Sequence, residues 1–416
     1  MNTPARSLNP FRVLQTHRNF RLFLGGQTLS LIGTWMQLMA QGWLALELSD
    51  SALVVGMVAS VGALPVLLFS LHAGALVDRS DRLRIVKITQ AVFLLEAATL
   101  WVVTWTGHVS IPVLLLLAFI GGTCAAIEIP ARQSLIIQLV GREDLAPAIA
   151  LNSSGFNLAR VVGPALGGLV IHAFGLAWCF GFNALSYLAV LSGLFMIRLP
   201  YVGPPAKRTV FAELLGDSTK SASEGVRYLT QRGTVRDLLG IVAVGAVFGG
   251  PFITLMPVMA RDQLGLGADG YGGLLASVGV GGLIAALMLA GPATHWRKGR
   301  VLAVSSIAFP VLLLLFSMVT NVSAANILLV FVGCALIVFN ATSNHALQLL
   351  VPEEYRGRLM SLYSFVVVGM SQVAGSLVAG AVARFTGVGW AIGASAAITL
   401  AYVLWTFRRA PQLLEL

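Results

Sequence analysis

Apolar residues run through this chain in long blocks separated by short polar segments, not at the spacing of a surface helix. Runs of about 20 or more apolar residues are long enough to cross a bilayer as helices. Twelve such spans are predicted, beginning near residues 20, 52, 85, 111, 149, 177, 237, 270, 301, 325, 360 and 388. Two of them carry polar stripes at the helical period, as a cavity wall requires. In the first, Gln27, Ser30, Thr34, Gln37 and Gln41 recur at steps of three or four, while Trp35, Leu38, Met39 and Trp43 lie off that face. In the tenth, Asn340, Asn344 and Gln348 form a second stripe, with His345 beside it. Amides with Trp, Met and Phe nearby suit a large amphipathic, hydrogen-bonding small molecule. Hydrogen bonding between helices, without a ligand, gives the same pattern.

Composition agrees with the spans. Of 416 residues 57% are apolar and 11% are charged, and the mean hydropathy is +0.85. That is too little polar surface for a soluble enzyme or a disordered chain. Three cysteines, Cys124, Cys179 and Cys334, sit inside apolar runs with no redox or metal spacing. The net charge of +10 does not point to nucleic acid, because the basic residues are not interleaved with aromatic stacking residues. Instead, 23 of the 27 Lys and Arg fall on one side of the predicted spans, with only Arg261 and Arg384 on the other and Arg132 and Arg160 within spans. The asymmetry places both termini in the cytoplasm. Residues 1–19 are polar and basic and the first apolar run is long enough to stay as a span, so insertion without a cleaved signal is expected.

The expected organisation is a cytoplasmic tail over 1–19, a six-helix half over 20–199, a linker over 200–236, a second half over 237–407 and a tail over 408–416. Pro200, Pro204 and Pro205 open the linker, where Phe211, Leu214, Leu215, Val226, Tyr228 and Leu229 among charges fit short amphipathic helices at headgroup level or a solvated loop. The halves echo one another. "LVGREDL" and "LVPEEYRGR" each precede a Gly-rich span, and Val140, Gly168 and Gly175 match Val351, Gly380 and Gly387 at offsets of 211 or 212. "GALVDRSDR" at Gly74 and "GPATHWRKGR" at Gly291 form a second echo, with His295 standing where the first copy has Asp78. Such repeats mark transporters.

"GALVDRSDR", with Gly74, Asp78, Arg79 and Arg82, resembles the loop signature of the major facilitator superfamily between spans 2 and 3. It departs from the signature at Asp81, where a second glycine is usual. Gly74 is expected to permit close helix contact, and Asp78 to pair with arginines or a helix N-terminus in a gating contact. "ARVVGPALGG" in span 5, with Gly163, Pro164, Gly167 and Gly168, resembles the antiporter signature of exporters in that superfamily. Small residues four apart let helices approach closely, so this span is expected to seal the outer side against span 8. With "PARQSLIIQLVGREDLAPA" and "PEEYRGRLMSLY", the whole chain resembles the third drug:proton antiporter subfamily, which includes enterobactin exporters and macrolide efflux proteins. The resemblance implies an all-α membrane protein of twelve helices in two pseudo-symmetric halves, working by alternating access.

One family element is missing: the span 4 positions of the usual proton-relay arginine are Leu117 and Ala118. Glu96, Glu128, Arg132 and Arg160 are the remaining intramembrane candidates. Glu96, Glu128 and Arg160 each lie about 11 residues from the nearer cytoplasmic end of their span, ~16 Å deep at 1.5 Å per residue. Ionisable groups there are functional candidates unless they pair. In this superfamily span 4 lines the cavity and span 3 is peripheral, which makes Glu128 the preferred proton carrier, with a static Glu128 to Arg132 pair as the alternative. Arg160 is read either as a structural group or as a contact for an anionic substrate. In the family's fold spans 1 and 10 are taken as symmetry-equivalent cavity helices.

No phosphate-binding Gly-x-x-x-x-Gly-Lys-Ser/Thr loop, metal-ligand cluster or paired nucleophile and base is present in the sequence, so neither an enzyme nor a cofactor is expected. The expectation is a monomeric secondary exporter of the bacterial inner membrane, moving a drug-like or siderophore-like metabolite against protons. A nutrient symporter, a lipid or lysophospholipid flippase, and a membrane sensor remain as alternatives.

Overall fold

A computed structural model of the chain describes residues 11–198, 232–291 and 297–415, which are almost wholly helical. After a short turn of helix at Arg12–Thr16 come α1 (Arg18–Ser49), α2 (Ala52–Asp78), α3 (Arg82–Trp105), α4 (Ile111–Val140), α5 (Leu145–Phe174) and α6 (Ala177–Met196). The second six are α7 (Gly233–Gln263), α8 (Ala268–Ala290), α9 (Lys298–Ser317), α10 (Val322–Leu350), α11 (Glu353–Thr386) and α12 (Val388–Arg409). Eleven of the twelve are long and apolar enough to cross a membrane, the exception being α1 with its polar stripe. The linker over 200–231, with its expected amphipathic helices, as well as His295 and the Asp78 side chain, lie outside the described residues.

Local sequence sets the ends. Asp81, the departure from the loop signature, caps α3: its Oδ1 accepts hydrogen bonds from the backbone N–H of Leu83 (2.9 Å) and Arg84 (3.2 Å). Gly175 and Gly387 close α5 and α11 at φ +90° and +86°, a left-handed conformation that few other residues adopt. They are repeat partners. α7 and α11 are interrupted by wider π turns at Gly245–Gly249, Met259–Gln263 and Phe365–Gly375.

The packing carries the same repeat. In the first half α1 packs on α5 and α6, α2 on α4, and α3 on α4 and α6; in the second, α8 packs on α10, and α9 on α10 and α12. Two seams join the halves, α5 against α8 and α2 against α11. They match residue for residue. A Cβ at Gly168 of α5 would sit 2.6 Å from the carbonyl oxygen of Asp269, near the start of α8, and one at Gly380 of α11 would sit 2.6 Å from that of Ala52, at the start of α2. Gly272, the fifth residue of α8, meets the Pro164 carbonyl, and Gly56, the fifth of α2, meets that of Ser376. Backbones this close need small residues.

Both seams lie in the half of each helix away from the chain termini. Leu67 against Gly369 marks one limit, and Arg160 and Val161 against Gly279 mark the other. Two ion pairs cross between the halves at that far end: Arg261 to Asp50 (2.5 Å) and His172 to Asp269 (3.5 Å). Among the described residues the close approaches between the halves stop short of the termini. A Cβ at Gly74 would meet nothing within 4 Å, so the close contact expected there is absent among them, and the last such approach between α2 and α11 is Leu67 to Gly369, two turns earlier.

Gly272→Leu and Gly56→Leu each drive a side chain into a carbonyl of the opposite half. Overpacking of about 1–3 kcal/mol is expected to shift the halves toward separation at the far end by ~10-fold or more. A cysteine at Ser376, 1% exposed, should then react with a membrane-impermeant maleimide in both variants and stay protected in the parent. Equal protection would show that these glycines do not hold the seams shut.

Candidate functional site

Between the halves, beneath the closed seams, lies a cavity of about 470 Å³. Its wall is built from α1, α2, α3, α4, α5, α6, α7, α8 and α11, and most of it is apolar or aromatic: Trp35, Leu38, Phe93, Tyr187, Tyr271, Leu275 and Val278 all face it. The ionisable wall residues of acidic or basic type are Glu96 and Arg160.

Glu96 is 5% exposed and reaches the cavity between α1 and α4. Gly121 of α4 faces it, with room for a Cβ at ordinary contact distance, 3.9 Å from the carboxyl group. The Gln37 amide donates to both carboxylate oxygens, at 3.1 and 2.8 Å, and the Gln41 amide donates to one at 3.4 Å. Gln37 in turn accepts from Asn183 Nδ2 of α6 at 2.7 Å, and Ser186 donates to Asn183 Oδ1 at 3.1 Å. Beside this chain Tyr187 stacks on Phe93 with centroids 5.6 Å apart, its hydroxyl 3.0 Å from Thr34 Oγ1. Three helices are thus tied together around one carboxylate.

Arg160 stands in another part of the wall, on α5 at its seam with α8. It has no hydrogen bond or ion pair among the described residues, and it does not pair with Glu96.

Glu128 is placed elsewhere. It is 5% exposed and outside the cavity wall, 3.4 Å from Arg132 Nε one turn on and 3.5 Å from the Gln90 amide of α3. Span 3 therefore supplies the cavity carboxylate and span 4 the internal pair, the reverse of the sequence-based ranking. The depth of a residue follows from counting, whereas the direction it faces depends on how its helix packs.

Of the α1 stripe, Thr34, Gln37 and Gln41 line the cavity, and Gln27 and Ser30 are buried nearer the termini. Trp35, Leu38 and Met39 line it as well, so the wall is wider than the stripe. Asn340, Asn344 and Gln348 do not reach it: Gln348 donates to Asn344 Oδ1 at 2.6 Å, and the Asn340 carbonyl accepts from Tyr363 at 3.2 Å. They lie on the last turns of α10, toward the termini. The packing relates α1 to α7 and α4 to α10, so α1 and α10 are not repeat partners. The span 5 signature divides its contacts, with Gly163 and Gly167 fitting against α1 at Trp35, Met36 and Met39, and Pro164 and Gly168 against α8. Arg79 follows α2 and Arg82 begins α3, at the end where the halves are apart. Asn183, Tyr187, Tyr271, Thr254 and Gln372 were not anticipated; Asn183 and Tyr187, four apart in an apolar span, were the legible signal.

Comparison with known proteins follows the same lines. Residues 5–415 match the family described as "Transmembrane secretion effector". The chain is 26% identical to the staphyloferrin A transporter of Staphylococcus aureus (strain NCTC 8325 / PS 47), covering 82% of this chain and 84% of that one. It is 25% identical to the multidrug efflux pump Tap of Mycolicibacterium fortuitum, over 86% and 87% of the two chains. It is also 25% identical to the enterobactin exporter EntS of Salmonella choleraesuis (strain SC-B67), over 93% and 91%. In fold it superposes on a bacterial homologue of the human lysosomal transporter Spinster in an inward-facing, unoccupied conformation, with a TM-score of 0.72 at 15% identity over 95% and 97% of the chains.

Gln37→Leu and Asn183→Leu each leave a buried polar partner unsatisfied, and each is expected to lower stability by about 1–3 kcal/mol. The double variant should lose less than the sum, because the two belong to one chain of hydrogen bonds. Thermal unfolding of the purified protein measures this; additive losses would show that they act separately.

Proposed function

The chain belongs to the transmembrane secretion effector family of the major facilitator superfamily and is a multi-pass membrane transporter, and from that premise we propose that it exports a small amphipathic metabolite in exchange for protons. The relatives named for staphyloferrin A, for enterobactin and for drugs favour a siderophore-like or drug-like cargo. Basic residues gather at the end bearing the termini, which puts that end in the cytoplasm of a bacterial cell and the closed seams outside. A cavity shut outside and parting toward the cytoplasm is the loading state of an exporter.

The observation that carries the reading is Glu96, a buried carboxylate in the cavity wall whose partners are amides and not a cation. Amide donors hold a carboxylate in place without neutralising it, so the group can still take up a proton. Opened outward, the site meets the proton-rich side and Glu96 is protonated. Turned inward, it releases that proton, and its oxygens again accept from Gln37, Gln41 and hydrogen-bond donors of the cargo. Proton and cargo thus compete for the same two oxygens, which is what exchange requires. Glu128 is assigned to the Arg132 pair and bears no proton in transport. The gating contact of the Asp78, Arg79 and Arg82 loop closes the cytoplasmic end in the opposite state, with one chain sufficient for the cycle.

Inverted membrane vesicles test the proposal, with this protein as the overproduced carrier and internal pH followed by a fluorescent dye. A panel of siderophores, macrolides and lipophilic cations should contain a compound that dissipates the imposed gradient. Glu96→Gln should abolish that response at unchanged protein level, and Glu128→Gln should retain it. Proton release that survives in Glu96→Gln overturns the assignment. Cargo movement indifferent to the gradient favours a facilitator, and lipid movement in reconstituted vesicles favours a flippase.

A further inference from the structure

We propose that Arg160 is an anion-binding residue for the transported molecule, and that the cavity selects amphipathic acids which also carry a hydrogen-bond donor for Glu96. The proposal deepens the transport reading by naming a substrate class; it rests on the cavity being where cargo sits and not on proton coupling.

Arg160 is the sixteenth of thirty residues in α5, as far from water at either membrane face as that helix allows. A guanidinium at this depth normally pairs, or reaches an end of its helix, because an uncompensated charge is costly in a low-dielectric surround. Neither solution is present. Among the described residues nothing bonds to it, and the other ionisable group of the wall, Glu96, is occupied by Gln37 and Gln41. The internal alternative was available in Glu128, but that carboxylate is engaged by Arg132. Five N–H donors in a planar fork therefore face a cavity otherwise walled by Trp35, Phe93, Tyr271 and Leu275. A carboxylate, phenolate or similar planar anion on an apolar or aromatic body satisfies both the fork and the walls. The second contact follows from Glu96, whose carboxylate oxygens only accept when ionised, so a hydroxyl or amine on the same ligand completes the pairing.

The position of Arg160 adds a mechanical link. Its own carbonyl packs against Gly279, where a Cβ would sit 3.2 Å away, so the residue that holds the anion is anchored at the innermost contact of the α5 to α8 seam. Cargo bound there touches the interface that must open to release it outward.

The test is direct binding to purified protein in nanodiscs, without any ion gradient, read as the rise in dansyl fluorescence on entering an apolar site. Three probes that share the dansyl sulfonamide N–H separate the contacts by what each adds: dansyl-serine adds acid and hydroxyl, dansyl-alanine the acid, and dansyl-serine methyl ester the hydroxyl. The wild type should bind dansyl-serine about tenfold to a hundredfold more tightly than its ester, with dansyl-alanine between them. Arg160→Gln should erase the preference for acid over ester, with an unchanged thermal unfolding midpoint of the purified protein showing that the variant is folded. Arg160→Lys should keep part of the preference, a point charge without the fork. Glu96→Gln, whose amide oxygen accepts less strongly than a carboxylate, should weaken the preference for dansyl-serine over dansyl-alanine and keep that for acid over ester. Equal affinity for acid and ester in the wild type, an acid preference that survives in Arg160→Gln, or no enhancement with any of the three probes overturns the proposal. Because no gradient is used, failure of proton coupling in vesicles leaves this result standing, and failure here leaves coupling standing.

Discussion

Hydrocarbon offers no partner to a polar group, so a carboxylate or amide inside this bundle is costly unless the bundle itself supplies one. That constraint organises the first half around Glu96. One acid on α3 commits two glutamines on α1, which commit an asparagine on α6, and the three helices take their relative rotation from that chain. The second half has no such buried acid in the cavity wall. The fold repeats, but the chemistry does not. Symmetry supplies the motion and asymmetry supplies the site.

The seams show how the halves meet. Each brings glycines against carbonyls of the other half, and around them the apolar core runs across. Val55, Val58, Leu274, Val278, Ala379 and Ala383 belong to one buried cluster, and Trp43 stacks on Tyr271 with centroids 5.9 Å apart. The ion pairs Arg261 to Asp50 and His172 to Asp269 lie at the rim, in reach of water, where they set alignment more than strength. Backbone approach and apolar packing together hold the far end.

Much of this was legible in the sequence, because length and polarity along a helix survive without a structure. Eleven of the twelve helices begin within about four residues of their predicted starts and the eleventh, at Glu353, seven before it, and the repeat offset of 212 pairs glycines that do the same work in both halves. Of the polar stripe of α1, Thr34, Gln37 and Gln41 line the cavity, while Gln27 and Ser30 do not. What failed was rotation about the helix axis. Glu96 and Glu128 lie at similar depth, but Gln37 and Gln41 hold one in the cavity wall while Gln90 and Arg132 hold the other aside. Asn344 and Gln348 show the same limit, since a correct period does not tell which neighbour the stripe meets. Asp81 was noticed as an oddity of the loop motif and is simply the cap of the next helix.

The polarity of α1 has a consequence for how the first half holds together. The partners of its Gln37 lie far along the chain, Glu96 on α3 and Asn183 on α6, some 60 and 150 residues further on. In hydrocarbon that amide cannot be satisfied by α1 alone. The helix in the middle of the chain of hydrogen bonds is thus the one whose place depends most on its neighbours, and α1, α3 and α6 are expected to stand or fall together.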